Sequence, residues 1–402
     1  MQKPLYLISL AALLSACGSD DSSSNNTTPA LESKYVAQLV APDYSSSQVA
    51  TGAVTGDRSA TQGLLVQDKS DYSLSSYGDV LYQLGRFQID TVSRYEGHDL
   101  TTQSWSYSTR LAGEEVSSNT YQLVQRNASE GYLIRYGSHL LLTVNPQADN
   151  ADDFVTGSID LSAYTPEGTQ VPGMSDAVIA GDRLFVSLQR LDASWQPLTA
   201  YIAVIDLSTG LEIDTNPQLD GLQGIALAGT NPASMEVHNG QLYVASRGDY
   251  ASNSGTLEKI DTTTYATTVL ADGDSFPQLN ANLEDDDASN DVIYHFQDVA
   301  VVSDQLGFVL LSKEQGFTSL DDRIFTFNPT EASFGTALND TVAALNDQQI
   351  ADITVGPELR LWLSVHNAQA PGIYVVDPDT LTVNGDFIAL DMPASHILFL
   401  SE

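Results

Sequence analysis

The feature that most constrains this chain is a hairpin unit that recurs along it. Each copy contains a polar residue, a short apolar strand, a tight turn, a second apolar strand and a basic or titratable side chain. The four clearest copies are DAVIAGDRLFVSLQR (176–190), SMEVHNGQLYVASR (234–247), DVAVVSDQLGFVLLSK (298–313) and DITVGPELRLWLSVH (352–366). Two weaker copies begin near residues 73 and 121. Repetition of one unit at this scale predicts a repeat architecture.

A third strand follows each of these hairpins after a loop of variable length. It ends in an Asp or Asn and a polar turn, as in VIDLSTG (204–210) and VVDPDT (375–380). The side chain of that Asp or Asn caps the strand by bonding to the nearby backbone. Three strands with a weaker outer fourth, repeated, are typical of the blades of a β-propeller.

The two ends of the chain complete this pattern. ASHILFLSE (394–402) resembles an innermost strand without a successor, and YVAQLVAPDYSSSQVATG (35–52) resembles later strands without a predecessor. One blade made from both termini would close the ring and remove its open sheet edges. We therefore predict an all-β fold, a seven-bladed β-propeller closed by a blade from both termini, with six or eight blades as alternatives.

The N-terminal segment MQKPLYLISLAALLSAC (1–17) reads as a secretory signal, because its apolar stretch is too short for a permanent membrane span. Small residues before Cys17, the only cysteine of the chain, resemble the lipobox of bacterial lipoproteins. That resemblance implies a signal peptide at 1–16, lipidation of Cys17, a flexible tether at 17–33 and one domain at 34–402. An ordinary secreted protein is the alternative.

The same resemblance implies a location in the cell envelope, as an outer-membrane lipoprotein that faces either the periplasm or the medium. The chain has 52 acidic and 16 basic residues, a formal net charge of −36. A field of this sign repels nucleic acid and anionic lipid surfaces, so neither is an expected partner.

The hairpins together with the V-I-D-L-S-T-G run resemble the seven-bladed propellers of the YVTN/YncE type, and the lipobox makes the chain similar to surface lipoproteins of that group. The resemblance implies a ligand-binding or partner-binding module. Some such proteins capture nutrients beside TonB-dependent outer-membrane transporters, so a transporter is one expected partner. A purely structural envelope scaffold is another alternative, since fold alone does not transfer function.

The candidate site follows from the hairpin geometry. Because the two strands are antiparallel, the end of the second lies beside the start of the first. The expected pairs at the axial mouth are Asp176 with Arg190, Ser234 with Arg247, Asp298 with Lys313, Asp352 with His366, and Ser73 with Arg86. These cations would form a collar that binds an anionic or hydrogen-bond-rich ligand. The Arg side chains at 86 and 247, which face Ser, are predicted to have no carboxylate partner. The alternative is that each cation only satisfies a buried carboxylate.

The sequence also leaves open a metal site, either for binding calcium or for hydrolysis. NLEDDDASND (282–291) could hold calcium through Asp285, Asp286, Asp287 and Asp291, although it lacks the order of an EF-hand loop. A metal-dependent, lactonase-like hydrolase could instead use Asp176, Asp298 and Asp352 near the axis. Binding is the preferred interpretation, and catalysis stays open.

Overall fold

The computed structural model describes residues 33–250, 252–276, 291–315 and 318–401. Strands are numbered β1 to β30 in chain order, and they form seven small antiparallel sheets. The seven innermost strands, in chain order, are β4 (Tyr72–Tyr77), β8 (Thr120–Asn127), β12 (Met174–Ala180), β17 (Pro232–His238), β21 (Val292–Ser303), β25 (Ile350–Val355) and β30 (Ala394–Leu400). The predicted seven-bladed propeller is confirmed.

Each innermost strand pairs with a second strand and that with a third, as the hairpin units predict. The second strands are β5 (Val80–Gly85), β9 (Glu130–Arg135), β13 (Arg183–Leu188), β18 (Gln241–Ser246), β22 (Leu306–Gln315), β26 (Leu361–Val365) and β1 (Lys34–Val40). The third strands are β6 (Thr91–Glu96), β10 (Leu140–Val144), β14 (Tyr201–Asp206), β19 (Thr256–Asp261), β23 (Thr318–Asn328), β27 (Gly372–Asp377) and β2 (Ser47–Ala53).

The outer edges of the blades are less regular. They comprise β7 (Asp99–Ser108), β11 (Val155–Asp160), β15 (Leu211–Glu212) with β16 (Ile225–Ala226), β20 (Thr267–Asp272), β24 (Ser333–Ala337), β28 (Thr382–Val383) with β29 (Ile388–Ala389), and β3 (Thr61–Gln67). Blades 1 to 6 begin at β4, β8, β12, β17, β21 and β25, and blade 7 contains β30, β1, β2 and β3. The described helices are short: α1 (Leu338–Thr341) and 3₁₀ turns at Ala151–Asp153, Ser162–Tyr164, Gly273–Ser275, Ala343–Leu345 and Pro357–Leu359.

Blade 7 combines the two ends of the chain, as predicted. β1 pairs with β30 in antiparallel register from Lys34 opposite Leu400 to Leu39 opposite Ala394. β30 also contacts the innermost strands on both sides, β25 and β4, so the ring is closed by hydrogen bonds within one blade. No helix in the described part is long and apolar enough to cross a bilayer.

The core lies between the blades, where the face of one sheet packs on the next. At the closure, Trp362 of blade 6 is 1% exposed and packs against Tyr35 and Phe399 of blade 7, with ring centroids 5.2 and 5.4 Å away. Between blades 4 and 5, Tyr243 and Phe296 belong to one buried cluster. Second strands such as β13 and β18 are buried along nearly their whole length, which explains why they read as apolar runs with weak alternation.

Candidate functional site

A cavity of about 490 Å³ lies where the seven innermost strands meet. Every blade contributes side chains to its wall, and most of these side chains are polar. The polar lining residues are Ser73, Arg86, Tyr121, Gln122, Ser175, Asp176, Ser234, Glu236, Gln297, Asp298, Asp352, Thr354 and His396. We call this space the axial cavity.

A β-bulge in the innermost strand of six blades sets the orientation of these side chains. In blades 2 to 6 the pairing with the second strand skips one residue, and in blade 7 the skipped residue is Ser395. A bulge re-aims the side chains that follow it. In all six blades the residue after the skipped one lines the cavity: Gln122, Asp176, Ser234, Asp298, Asp352 and His396.

Side chains of the innermost strands also connect each blade to the next by accepting a backbone N–H. The six such bonds are Leu123 N to Ser75 Oγ (3.0 Å), Ala177 N to Gln122 Oε1 (2.9 Å), Met235 N to Asp176 Oδ2 (2.9 Å), Val301 N to Glu236 Oε2 (2.8 Å), Ile353 N to Asp298 Oδ2 (2.9 Å) and Ile397 N to Asp352 Oδ2 (3.0 Å). At the seventh junction Ser76 Oγ donates to the Phe399 carbonyl, 3.2 Å away. Side chains at the cavity wall therefore also hold neighbouring blades together.

The carboxyl groups of the cavity are desolvated, and this changes their protonation. Burial raises the pKa of Asp176 to about 6 and that of Glu236 to about 8. Burial, reinforced by the charge of Asp352, raises the pKa of Asp298 to about 7. Among the described residues, none of the carboxylates at 176, 236 and 298 forms an ion pair, so backbone dipoles and hydroxyls are their partners there.

Asp352 and His396 form an ion pair in the wall of the cavity, with His396 Nδ1 3.1 Å from Asp352 Oδ1. Burial opposes the charge of the imidazole, but Asp352, Asp298 and Asp176 outweigh that effect and raise the pKa of His396 above its ordinary value. Its side chain is 46% exposed to the cavity. The cavity thus contains one titratable cation among several acids.

The predicted pairing of each axial carboxylate with a cation is wrong. Asp176 lies opposite Ser187, Asp298 opposite Leu310 and Asp352 opposite Ser364. In four blades the cation follows the last paired residue of the second strand: Arg86, Arg190, Arg247 and His366. Lys313 lies within the ladder but pairs with Tyr294, four residues before Asp298. Of the five predicted cations, only Arg86 lines the axial cavity.

Arg86 and Arg247 both have carboxylate partners, contrary to the prediction. Arg86 Nε lies 3.3 Å from Asp71 Oδ1, and its guanidinium carbon lies 3.9 Å from the centre of the Tyr121 ring. Arg247 pairs with Glu314 of the next blade and donates to Gln297 Oε1 at 3.1 Å. These acids come from a preceding loop and from a neighbouring blade, which the hairpin repeat alone does not reveal.

The other predicted cations lie outside the cavity wall. Arg190 donates to the carbonyls of Tyr164 and Thr199 at 2.9 and 2.8 Å. Lys313 pairs with Asp321 at 3.0 Å. His366 lies beyond the end of β26, and burial lowers its pKa. No single collar of cations is formed by these residues.

The predicted calcium loop falls mainly outside the described residues, which exclude Asp285, Asp286 and Asp287; Asp291 is described and directly precedes β21. Within the described ranges, no three His, Cys, Asp or Glu side chains form a group that could hold a metal ion. This includes the carboxylates at 176, 298 and 352, which share the cavity but are distributed over three blades.

We expect the free energy of unfolding to decrease by a few kcal/mol between about pH 5 and about pH 8, since each unit of raised pKa corresponds to about 1.4 kcal/mol. The folded state binds more protons than the unfolded state there, because the pKa values of Asp176, Asp298 and Glu236 are raised above their ordinary values near 4. The raised pKa of His396 acts in the same direction, since its contribution is lost as the pH rises through the folded value. Urea titrations at several pH values would measure the slope, and stability that rises across this window would contradict it.

No protein-family model matches the chain, and no curated protein matches it. Solved structures share its fold. A protein from Lactobacillus plantarum superposes with a TM-score of 0.60 at 15% identity over 92% of this chain and 100% of that one. A putative 6-phosphogluconolactonase from Bacteroides fragilis gives 0.56 at 12% identity over 95% and 100%. A functionally unknown protein from Desulfotomaculum acetoxidans gives 0.55 at 12% identity over 92% and 99%. Similarity at this level concerns the fold alone.

Proposed function

We propose that this protein is a binding module whose axial cavity holds a small organic cation. The observation that carries the proposal is that the carboxylates of Asp176, Asp298 and Glu236 face a water-accessible cavity while none of them has an ion-pair partner among the described residues. A carboxylate in that position is costly when it is ionised. A bound ammonium group would supply the missing opposite charge.

The charge balance of the cavity supports a cation over an anion. Four carboxyl groups line it, at 176, 236, 298 and 352, against the guanidinium of Arg86 and the imidazole of His396. The whole chain carries a formal charge of −36, which also attracts cations. Burial raises the pKa of the unpaired acids, and a nearby cation would lower it again, so binding and deprotonation would favour each other.

The dimensions and ligand geometry support an organic cation over a metal ion. A volume of about 490 Å³ lies in the range of small-molecule sites. The described part of the chain offers no group of three close metal ligands. Amine hydrogens on a molecule of several atoms can instead reach carboxylates on different blades.

Calorimetric titration of the full-length protein with butylamine and with butyrate would test the charge of the ligand. We expect butylamine to bind at pH 8 and to bind at least about tenfold more weakly at pH 5.5, where the raised pKa values of Asp176, Glu236 and Asp298 keep these three acids protonated. Butyrate is expected not to bind. Binding of butyrate but not of butylamine would contradict the proposal and would indicate an anion site instead.

Paired variants locate the site. Asp298→Asn combined with Glu236→Gln removes two cavity charges and should weaken butylamine binding by at least about tenfold. Asp322→Asn is the matched control, because Asp322 is also buried, has its pKa raised by burial to about 7 and accepts a backbone N–H, from Ile350 at 2.6 Å, but does not line the cavity. Equal losses in both proteins would assign the effect to stability.

We also propose that the binding module is a YncE-type lipoprotein, held in the outer membrane by acylated Cys17 and docked beside a transporter that receives the ligand. The support is the sequence alone: the signal-like residues 1–16 and the tether-like composition of 17–33. Mass spectrometry of the N-terminal peptide would detect the acyl chains, and a Cys17→Ser variant should be released from membranes. A wild-type protein that is recovered without acyl chains would contradict the anchor.

A further inference from the structure

A second cavity, of about 300 Å³, lies between blades 2 and 3. Its walls are mainly apolar and include Tyr136, Val171, Leu191, Ala193 and Trp195. We call it the Trp195 pocket. Its volume is at the lower end of the range of small-molecule sites and suits one or two fused rings.

Trp195 projects from a short hairpin that is rigidly held. Asp192 Oδ1 accepts the N–H groups of Ser194 and Gln196 at 2.7 and 2.9 Å, and the Trp195 N–H bonds to the Asp192 carbonyl at 2.9 Å. A bridge between Leu191 and Pro197 closes the hairpin. The backbone that carries Trp195 is therefore ordered by several hydrogen bonds.

Arg190 fixes the base of the same hairpin. Its guanidinium joins the carbonyl of Thr199, after the hairpin, to that of Tyr164, in the preceding loop, and lies 5.2 Å from the centre of the Tyr201 ring. These two bonds tie the segment before the hairpin to the segment after it. The predicted site residue Arg190 thus acts as a positioning residue for Trp195.

Trp195 is unusually exposed for a tryptophan side chain. Its residue surface is 67% exposed, whereas Trp362 is 1% exposed. Its backbone is in the left-handed region, with φ of 64°, a conformation that non-glycine residues adopt at a cost. A large apolar side chain that is exposed beside an apolar pocket, on a backbone of costly conformation, is typical of a binding surface.

This pocket and the axial cavity are neighbours, and each is lined by one of two stacked tyrosines. Tyr121, which lines the axial cavity beneath Arg86, stacks on Tyr136, which lines the Trp195 pocket. Their ring centroids are 4.9 Å apart and their planes differ by 13°. The two spaces therefore lie on either side of one pair of rings.

We infer that the Trp195 pocket binds the flat apolar ring of the same small molecule whose cationic end occupies the axial cavity. This inference rests on the proposed function and names the substrate class: an organic cation that carries an aromatic ring on a flexible chain. Trp195 and Tyr136 contact the ring face, and the axial carboxylates contact the amine. Aromatic contacts of this kind add to simple burial of area.

The test uses the full-length protein and three probes: indole for the ring, butylamine for the charge, and a series of indole-alkylamines of increasing chain length. Calorimetry should show that indole binds the wild type and that Trp195→Ala weakens indole binding at least about tenfold, with Trp195→Phe intermediate. One chain length should bind at least about tenfold more tightly than either fragment, because the second contact becomes intramolecular.

Tyr44→Ala is the matched control, since Tyr44 is an aromatic residue 68% exposed with φ of 57° in the turn between β1 and β2 of blade 7. It should leave indole binding unchanged. Equal affinities of Trp195→Ala and Tyr44→Ala for indole would overturn the ring site, and an indole-alkylamine series without an optimum would overturn its link to the axial cavity. Indole binding without any butylamine binding would instead overturn the cation proposal and leave the ring site standing. Thermal melts of both variants confirm that each is folded.

Discussion

Removal of residues 394–402 is expected to abolish the cooperative folding of the whole propeller. The deletion removes β30, the innermost strand of blade 7, which pairs with β1 and contacts β25 and β4. It also removes the buried side chains of Ile397, Leu398 and Leu400. Each of these contributes about 1.5–3 kcal/mol when fully buried, and the loss of the strand bonds adds to that. The sum approaches the 5–15 kcal/mol that stabilises a typical domain.

Circular dichroism during a urea titration would test this expectation, with a broad or absent transition as the predicted result. A circular permutant is the control: it begins near Tyr72, ends after Gln67, and joins residue 401 to residue 33 by an Asn-Gly turn. Lys34 lies opposite Leu400, so a two-residue turn matches the register. The permutant should fold, because all seven blades remain complete. A truncated protein as stable as the wild type would contradict the role of β30.

Substitution of Trp362 by Ala is expected to lower the free energy of unfolding by about 3–5 kcal/mol. The indole is 1% exposed and lies at the junction of blades 6 and 7, between the rings of Tyr35 and Phe399. The guanidinium carbon of Arg58 lies 5.7 Å from its centre. A cavity left here would not collapse easily, since rings from another blade form its walls.

Urea unfolding monitored by circular dichroism would measure this loss. Trp362→Phe should be milder, because it keeps a ring and removes an indole N–H that has no hydrogen-bond partner in the described part of the protein. Trp195→Ala is the matched control, since it deletes the same side chain at an exposed position. A loss at Trp362 no larger than the loss at Trp195 would show that packing at the closure contributes little.

The confirmed fold followed from local patterns. The hairpin of 234–247 contains an Asn-Gly turn between two apolar runs, and β17 and β18 form on those runs. The terminal segments were assigned to one blade because each lacked the strands that the other contained, and the pairing of β1 with β30 confirms this. Blade number could be counted because every blade repeats the same short-range signals.

The candidate site was only partly predictable. Asp176, Asp298 and Asp352 were expected near the axis, and they do line the cavity. Gln122, Glu236 and His396 were missed, although Gln122 and His396 occupy the same place in their blades as Asp176. Aligning the innermost strands on the polar residue that precedes each apolar run would have found those two. Glu236 lies two residues further along its strand, and no repeat marks it.

The amino-acid sequence by itself determined the all-β class, the repeat, the closure by both termini and the three axial acids, because turns, apolar periodicity and capping residues act over a few positions. Only the tertiary structure decided which side chains meet. Arg247 pairs with Glu314 on the neighbouring blade, and Arg190 bonds to the carbonyls of Tyr164 and Thr199. The ladder places Ser187, and not Arg190, opposite Asp176. Contacts between blades depend on how whole sheets pack around the axis, and no segment of a single blade encodes that arrangement.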